Sequence, residues 1–132
     1  MIFSSLIMVS LLKKQKMKKI LIIDDEKDLC FLIKAHLRQK DNDVTVAYTL
    51  KDGLQKIDTL HPDVIFLDNN LPDGLGWEKA CEISDVHPEI QINLMTGKPD
   101  YLFKNCDVEK RHFVIIDKPL SFEKVDSALL RA

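Results

Sequence analysis

Several residues with chemical potential stand just beyond short apolar runs. Asp24, Asp25 and Glu26 follow the run 19–23, Asp68 follows 64–67, Thr96 follows 90–95, and Lys118 comes just after 113–116. If these runs are neighbouring strands, the polar groups converge at one edge. Carboxylates brought within ~4 Å of one another repel by several kcal/mol at an intermediate effective dielectric. A divalent cation relieves that repulsion. Mg²⁺ suits such a site because it takes a few carboxylate oxygens, keeps some waters and shares its remaining positions with phosphate.

The elements that must position these groups are legible in the apolar pattern. Five apolar runs, 19–23, 44–48, 64–67, 90–95 and 113–116, alternate with helix-like segments. The first helical segment repeats apolar residues at Leu29, Leu32, Ile33 and Leu37, and the last at Phe122, Val125, Ala128 and Leu129, each giving one buried stripe. Leu50, Leu54 and Ile57 mark a second helix, weakened by Gly53, and Trp77, Ala80, Cys81 and Ile83 a third. Runs such as 20–23 and 64–67 are apolar without alternation, as parallel strands covered on both faces are. The expected fold is a doubly wound α/β domain with a five-stranded parallel sheet, in which ligands collect beyond the carboxyl ends of the strands.

Each candidate also has a plainer reading. Asp24 and Asp25 could cap the first helix together with Glu26, and Asp68 could be a turn acid ahead of Leu71-Pro72-Asp73-Gly74. Thr96 could be an N-cap before Lys98-Pro99, and Lys118-Pro119 an extended entry to the last helix. Their joint occurrence at successive strand ends favours a common site.

The motifs ILIIDDE, DVIFLDNNLPDG, LMTG and DKP, in this order and each at an expected strand end, resemble the response-regulator receiver family of two-component signalling from about Met17 to Ala132. The resemblance implies a flavodoxin-like single domain over residues 17–132. It also implies that Asp24 and Asp25 hold Mg²⁺ together with Asp68 and the backbone carbonyl of Asn70. Asp68 is then the phosphoryl acceptor, Thr96 binds a phosphoryl oxygen and Lys118 pairs with the phosphoryl group. It suggests a cis Lys118–Pro119 bond as well. The implied partners are a sensor histidine kinase or histidine phosphotransfer protein upstream and an unidentified protein downstream. Such a domain is a signalling switch that catalyses only its own phosphorylation and dephosphorylation.

The family pattern is broken in places. Receivers usually carry an aromatic residue three positions before the lysine, where this chain has Ile115. The fourth helical segment is poorly patterned, with Pro99 at its start and Asn105 and Asp107 within it. The fourth run alternates Ile90, Gln91, Ile92, Asn93 and Leu94, which favours one exposed face over full burial, so that either Asn93 finds a partner or a face is uncovered. The first two departures fall on the face of the fourth helix and fifth strand, and single it out for a partner or a second copy of the chain.

Composition narrows the alternatives. A chain of 132 residues fits one domain able to bury its own core. Setting aside residues 1–16, whose charges are Lys13, Lys14 and Lys16, takes the formal charge from −2 to −5, which argues against direct nucleic-acid binding. The three cysteines are odd in number and widely spaced, so neither a disulfide framework nor a CxxC metal site is expected, and a reducing cytoplasm fits. The four histidines lack the spacing of a zinc-binding pair.

Two other functions compete with the switch: a Mg²⁺-dependent phosphatase with Asp68 as nucleophile, and a phosphate-independent interaction module. Asn70 speaks against the phosphatase, because a dehalogenase-type enzyme places a second acid two residues after its nucleophile and an amide cannot act as acid or base. Residues 2–12 are largely apolar but are followed by lysines, the wrong order for a secretory signal, and they are too short to span a bilayer. Residues 1–16 are therefore expected to lie outside the core fold. Chains beginning at Met1 and at Met17 should match in oligomeric state by size-exclusion chromatography and in liposome binding; stronger liposome binding by the longer chain would make the segment a membrane-surface anchor instead.

Overall fold

A computed structural model describes residues 17–97 and 110–132 of the chain. Its strands and helices alternate as β1 (Lys19–Ile23), α1 (Lys27–Arg38), β2 (Asp43–Ala47), α2 (Leu50–Leu60) and β3 (Val64–Asp68). A short antiparallel hairpin of β4 (Asn70–Leu71) and β5 (Gly74–Leu75) follows, then α3 (Gly76–Val86), β6 (Gln91–Thr96), β7 (Phe113–Asp117) and α4 (Phe122–Leu129). The five long strands form one parallel sheet in the order β2-β1-β3-β6-β7. This is the doubly wound arrangement expected, and the strand order reverses between β1 and β3. The poorly patterned fourth helical segment lies outside the described residues.

The sheet is covered on both faces, which explains why its strands read as continuous apolar runs. On one face Ile20, Ile22, Val64, Phe66 and Met95 pack with Cys30, Ile33 and Leu37 of α1 and with Val125 and Ala128 of α4. On the other, Leu21, Ile23, Ile65, Leu67, Ile92 and Leu94 meet Leu50 and Ile57 of α2 and Ala80 and Ile83 of α3. Full burial of one such Leu or Ile is worth about 1.5–3 kcal/mol relative to exposure, so the two layers hold the strand ends firmly in register. Local signals set the helix ends. Thr49 Oγ1 accepts from the Asp52 N–H at 3.1 Å to start α2, and His61 in the left-handed conformation stops it before Pro62. Ser121 Oγ does for α4 what Thr49 does for α2, accepting from the Lys124 N–H at 3.2 Å.

Three features sharpen or correct the sequence reading. The alternation in β6 does not mark an exposed face, since all six of its residues are buried. Gln91 Nε2 donates to Asn93 Oδ1 and to the Ala128 carbonyl, each at 2.9 Å, while Asn93 Nδ2 donates to the Ile65 carbonyl at 3.2 Å. A polar pair thus satisfies much of its own bonding inside the layer facing α1 and α4, and in doing so ties β6 to the end of α4. Cys81 on α3 is disulfide-bonded, a cross-link not expected from the odd number and wide spacing of the cysteines. Gly53, which weakened the expectation for α2, is where that helix closes on β1. A Cβ there would stand 2.5 Å from Ile23 Cδ1 and 2.9 Å from Cγ1.

Helix propensity alone would make Gly53→Ala stabilising by about 1 kcal/mol. Because the methyl group must displace Ile23 inside a packed layer, we expect instead a net loss of roughly 1–2 kcal/mol in denaturant unfolding, and a more stable variant would show that α2 can shift freely.

Candidate functional site

Strand register builds the site before any side chain is considered. Ile23 pairs with Leu67, so the next residues, Asp24 and Asp68, emerge side by side at the reversal of strand order. Asp68 in turn pairs with Met95, and Thr96 with Asp117. Thr96 and Lys118 are thereby brought to the same edge. Among the described residues, Asp24, Asp25 and Asp68 each offer a carboxylate oxygen within 4.8 Å of the others. Asp24 and Asp68 are buried and Asp25 is exposed, so the cluster has a wet side and a dry side.

The dry side is closely specified. Asp68, only 2% exposed, accepts from Lys118 Nζ at 2.7 Å and from the Asn70 backbone N–H at 3.3 Å, both at Oδ1. Asp24 Oδ1 accepts from the Glu26 N–H at 2.9 Å, a local bond in the turn ahead of α1 that coexists with its place in the cluster, whereas α1 itself has no side-chain cap, contrary to the plainer reading of these acids. Its other oxygen, Oδ2, is buried without a hydrogen-bond partner. An orphaned carboxylate oxygen beside two further carboxylates is what a bound cation would satisfy, and the all-oxygen set suits a hard divalent ion. Thr96 is buried at the end of β6, and its carbonyl accepts the Lys118 N–H at 2.9 Å. Asn70 starts the hairpin, exposed. Lys118–Pro119 is cis.

Electrostatics follow from this packing. Burial pushes the Asp24 carboxyl up to about 6, and it outweighs the opposing hydrogen bond from Glu26 while the neighbouring Asp68 adds to the rise. Burial works to lower the Lys118 ammonium, but the hydrogen bond and charge of Asp68 prevail and hold it above its ordinary value. Lys118 is therefore a fixed cation against Asp68. Cys30 lies beneath, its Sγ donating to the Asp24 carbonyl at 3.4 Å. Burial and the surrounding carboxylates push that thiol up to about 12, which keeps it protonated and inert.

Sequence reading missed the residues that brace the loop after β3. Asn69 donates its N–H to the Met95 carbonyl at 3.0 Å, and its Oδ1 accepts from the Trp77 N–H at 3.2 Å. Asp73, seen in the sequence only as part of the turn 71–74, accepts from the backbone N–H groups of Leu50 and Lys51 at 2.7 and 2.9 Å; these bonds cap α2 and hold the Asp73 carboxyl below its ordinary value. A Cβ on Gly76 would overlap the Asp68 carbonyl oxygen. Only the Asp and Gly after Pro72 hinted at any of this, and they indicated a turn rather than its attachments.

The arrangement has clear relatives. Residues 20–130 match the response regulator receiver domain family, and the chain belongs to that family of two-component signalling domains. A response regulator receiver domain protein from Clostridium thermocellum superposes with a TM-score of 0.75 at 26% identity, over 86% of this chain and 91% of that one. A two-component response regulator from Clostridium difficile gives a TM-score of 0.69 at 31% identity, over 86% of this chain and 96% of that one. The regulatory protein LuxO of Vibrio cholerae serotype O1 is 25% identical over 103 residues, 67% of this chain but 23% of LuxO. This chain therefore spans about a quarter of that curated relative. No helix among the described residues is long and apolar enough to cross a membrane.

The Asp24 shift has a thermodynamic sign. The folded chain holds this proton up to about pH 6 while the unfolded chain releases it near 3.8, so between those values the folded state binds more protons and stability falls as pH rises. Above that window the loss is complete and constant. Asp24→Asn should therefore raise metal-free stability at neutral pH by on the order of 1–2 kcal/mol and flatten its pH dependence in denaturant titrations; an unchanged curve would mean the carboxylate is not strained by its surroundings.

Proposed function

We propose that this domain accepts a phosphoryl group on Asp68 from a cytoplasmic histidine kinase or histidine phosphotransfer protein and passes a signal by changing shape. The observation that carries this reading is the Asp68 carboxylate, nearly buried, with an ammonium at 2.7 Å and two further carboxylates around it. A structural acid has no need of two uncompensated neighbours. A divalent cation, Mg²⁺ by its chemistry, would be held by Asp24, Asp25, Asp68 and the Asn70 carbonyl, and when bound it neutralises charge on the phosphoryl oxygens.

The chain's own groups account for the remainder. An Asp68 carboxylate oxygen attacks phosphorus as the phosphorus–nitrogen bond of the donor phosphohistidine breaks, and the bonding electron pair leaves with the imidazole nitrogen, which takes up a proton. Transfer of this kind depends on position and charge rather than on covalent help from the protein. Lys118 supplies a fixed positive charge for the equatorial oxygens, and the Thr96 hydroxyl can donate to one of them. Because phosphate contacts must differ between the two shapes for the equilibrium to move, Thr96 and Lys118 together need supply only a few kcal/mol of difference.

Incubation with Mg²⁺ and a small phosphodonor, followed by intact mass and phosphate release, tests the reading. A single long-lived addition of one phosphoryl group is expected for wild type and none for Asp68→Asn. Rapid multiple turnover would make the protein a phosphatase, and no addition would make it an inert interaction module. Lys118→Ala is expected to retain the fold and slow uptake at least tenfold, in line with the removal of one preorganised charge contact, roughly 1.4 kcal/mol or more.

A further inference from the structure

Lys118 works only if its ammonium is aimed, and its side chain is too flexible to aim itself. Four methylene groups separate the charge from the backbone, so the position of Nζ depends on how firmly the chain around Lys118 is fixed. One anchor is the Lys118 N–H on the Thr96 carbonyl at 2.9 Å. The second comes from α4. Lys124, in the first turn of that helix, donates from Nζ to the Asp117 carbonyl at 2.8 Å and to the Pro119 carbonyl at 2.9 Å. Those two carbonyls flank Lys118 on either side. Lys124 is itself fixed, because its backbone N–H bonds the Ser121 hydroxyl that caps the helix. The helix in turn is tied to α1 and the turn after it through Asp126, which accepts from His36 Nε2 and Lys40 Nζ, each at 2.9 Å, with Phe122 stacked on the His36 ring at 4.2 Å.

We propose that Lys124 is a positioning residue for Lys118, clamping the two carbonyls on either side of it so that the Lys118 ammonium reaches Asp68. This rests on the proposed function for its consequence, though not for its geometry. An ammonium shared between two carbonyls makes charge-assisted hydrogen bonds, stronger than neutral ones and lost when the charge is removed. Lys124 touches neither the carboxylate cluster nor Asp68 in any contact found among the described residues, so its influence passes through the 117–119 loop.

The test compares Lys124→Met, which keeps the stem and removes the charge, with Lys124→Arg, which restores donors. The first readout is ¹³Cε relaxation of Lys118, which needs no phosphorylation. Lys118 is expected to be restricted in wild type and Lys124→Arg, and as mobile as an exposed lysine in Lys124→Met, with the unfolding midpoint little changed. The second is the rate of phosphoryl uptake from a small donor with Mg²⁺, expected to fall roughly three- to tenfold in Lys124→Met, the scale of a misplaced but still present charge, and to recover in Lys124→Arg. In a Lys118→Ala background the Lys124→Met change should add nothing. An equally restricted Lys118 in Lys124→Met, or the same fold loss in both backgrounds, overturns the proposal. If wild type takes up no phosphoryl group the proposed function falls, and the relaxation measurement still decides the clamp.

Discussion

The molecule is organised around the pairing of β1 with β3, because that register forces two acids into neighbouring positions at the sheet edge. Ile23 beside Leu67 leaves no choice about Asp24 and Asp68. Two carboxylates at this separation, out of contact with most of the solvent, oppose folding unless something compensates them. The fold compensates partially. Lys118 neutralises one of the buried pair, a backbone N–H serves one oxygen of Asp24, and the remaining oxygen is left without a partner. Stability has been traded for a place where positive charge is welcome, which is the usual sign of a site that works on a charged ligand.

Much of this was legible in the sequence because two kinds of information coincided. Apolar runs without alternation located strands that are buried on both faces, and the polar residue just past each run located the sheet edge. The strands observed differ from those runs by about one residue at an end. Periodicity could not decide where chemistry can mimic a pattern. Gln91 and Asn93 alternate with apolar residues as an exposed face would, yet they bond to each other, to β3 and to α4 inside the core. A pattern records polarity, and polarity equals exposure only when no partner is in reach. Gly53 weakened a correct expectation for a similar reason, since its cost to the helix is local and its benefit, room for Ile23, depends on packing across the layer.

What the sequence could not show is the bracing of the loops. Asn69, Asp73 and Lys124 are of types common in any surface loop or helix, and each acts through backbone groups. In the case of Asp73 those groups lie more than twenty residues away. No spacing rule connects Asp73 with the start of α2. The braces nevertheless share a logic: each ties a segment carrying a site residue to the beginning of a helix, where free N–H groups or a capped first turn give firm attachment.

That logic bears on how this receiver can report a change at Asp68. A ring three residues before the lysine would swing between two positions, but Ile115, on the edge strand β7 and 40% exposed, has no ring to swing. Among the described residues, the connections from the site run through backbone. The Lys118 N–H is bonded to the Thr96 carbonyl, and the carbonyls beside Lys118 are bonded to α4. On the proposed function, a phosphoryl group pulling on Thr96 or Lys118 would displace the 117–119 loop and the first turn of α4 together, because the two are joined by charge-assisted bonds. From α4 the strain reaches α1 through Asp126, whose carboxyl is held below its ordinary value because the hydrogen bonds from Lys40 and His36 prevail over the opposing effect of burial. Among the described residues, the helix pair on that face, rather than an aromatic side chain on β7, has the connections that such a signal would need.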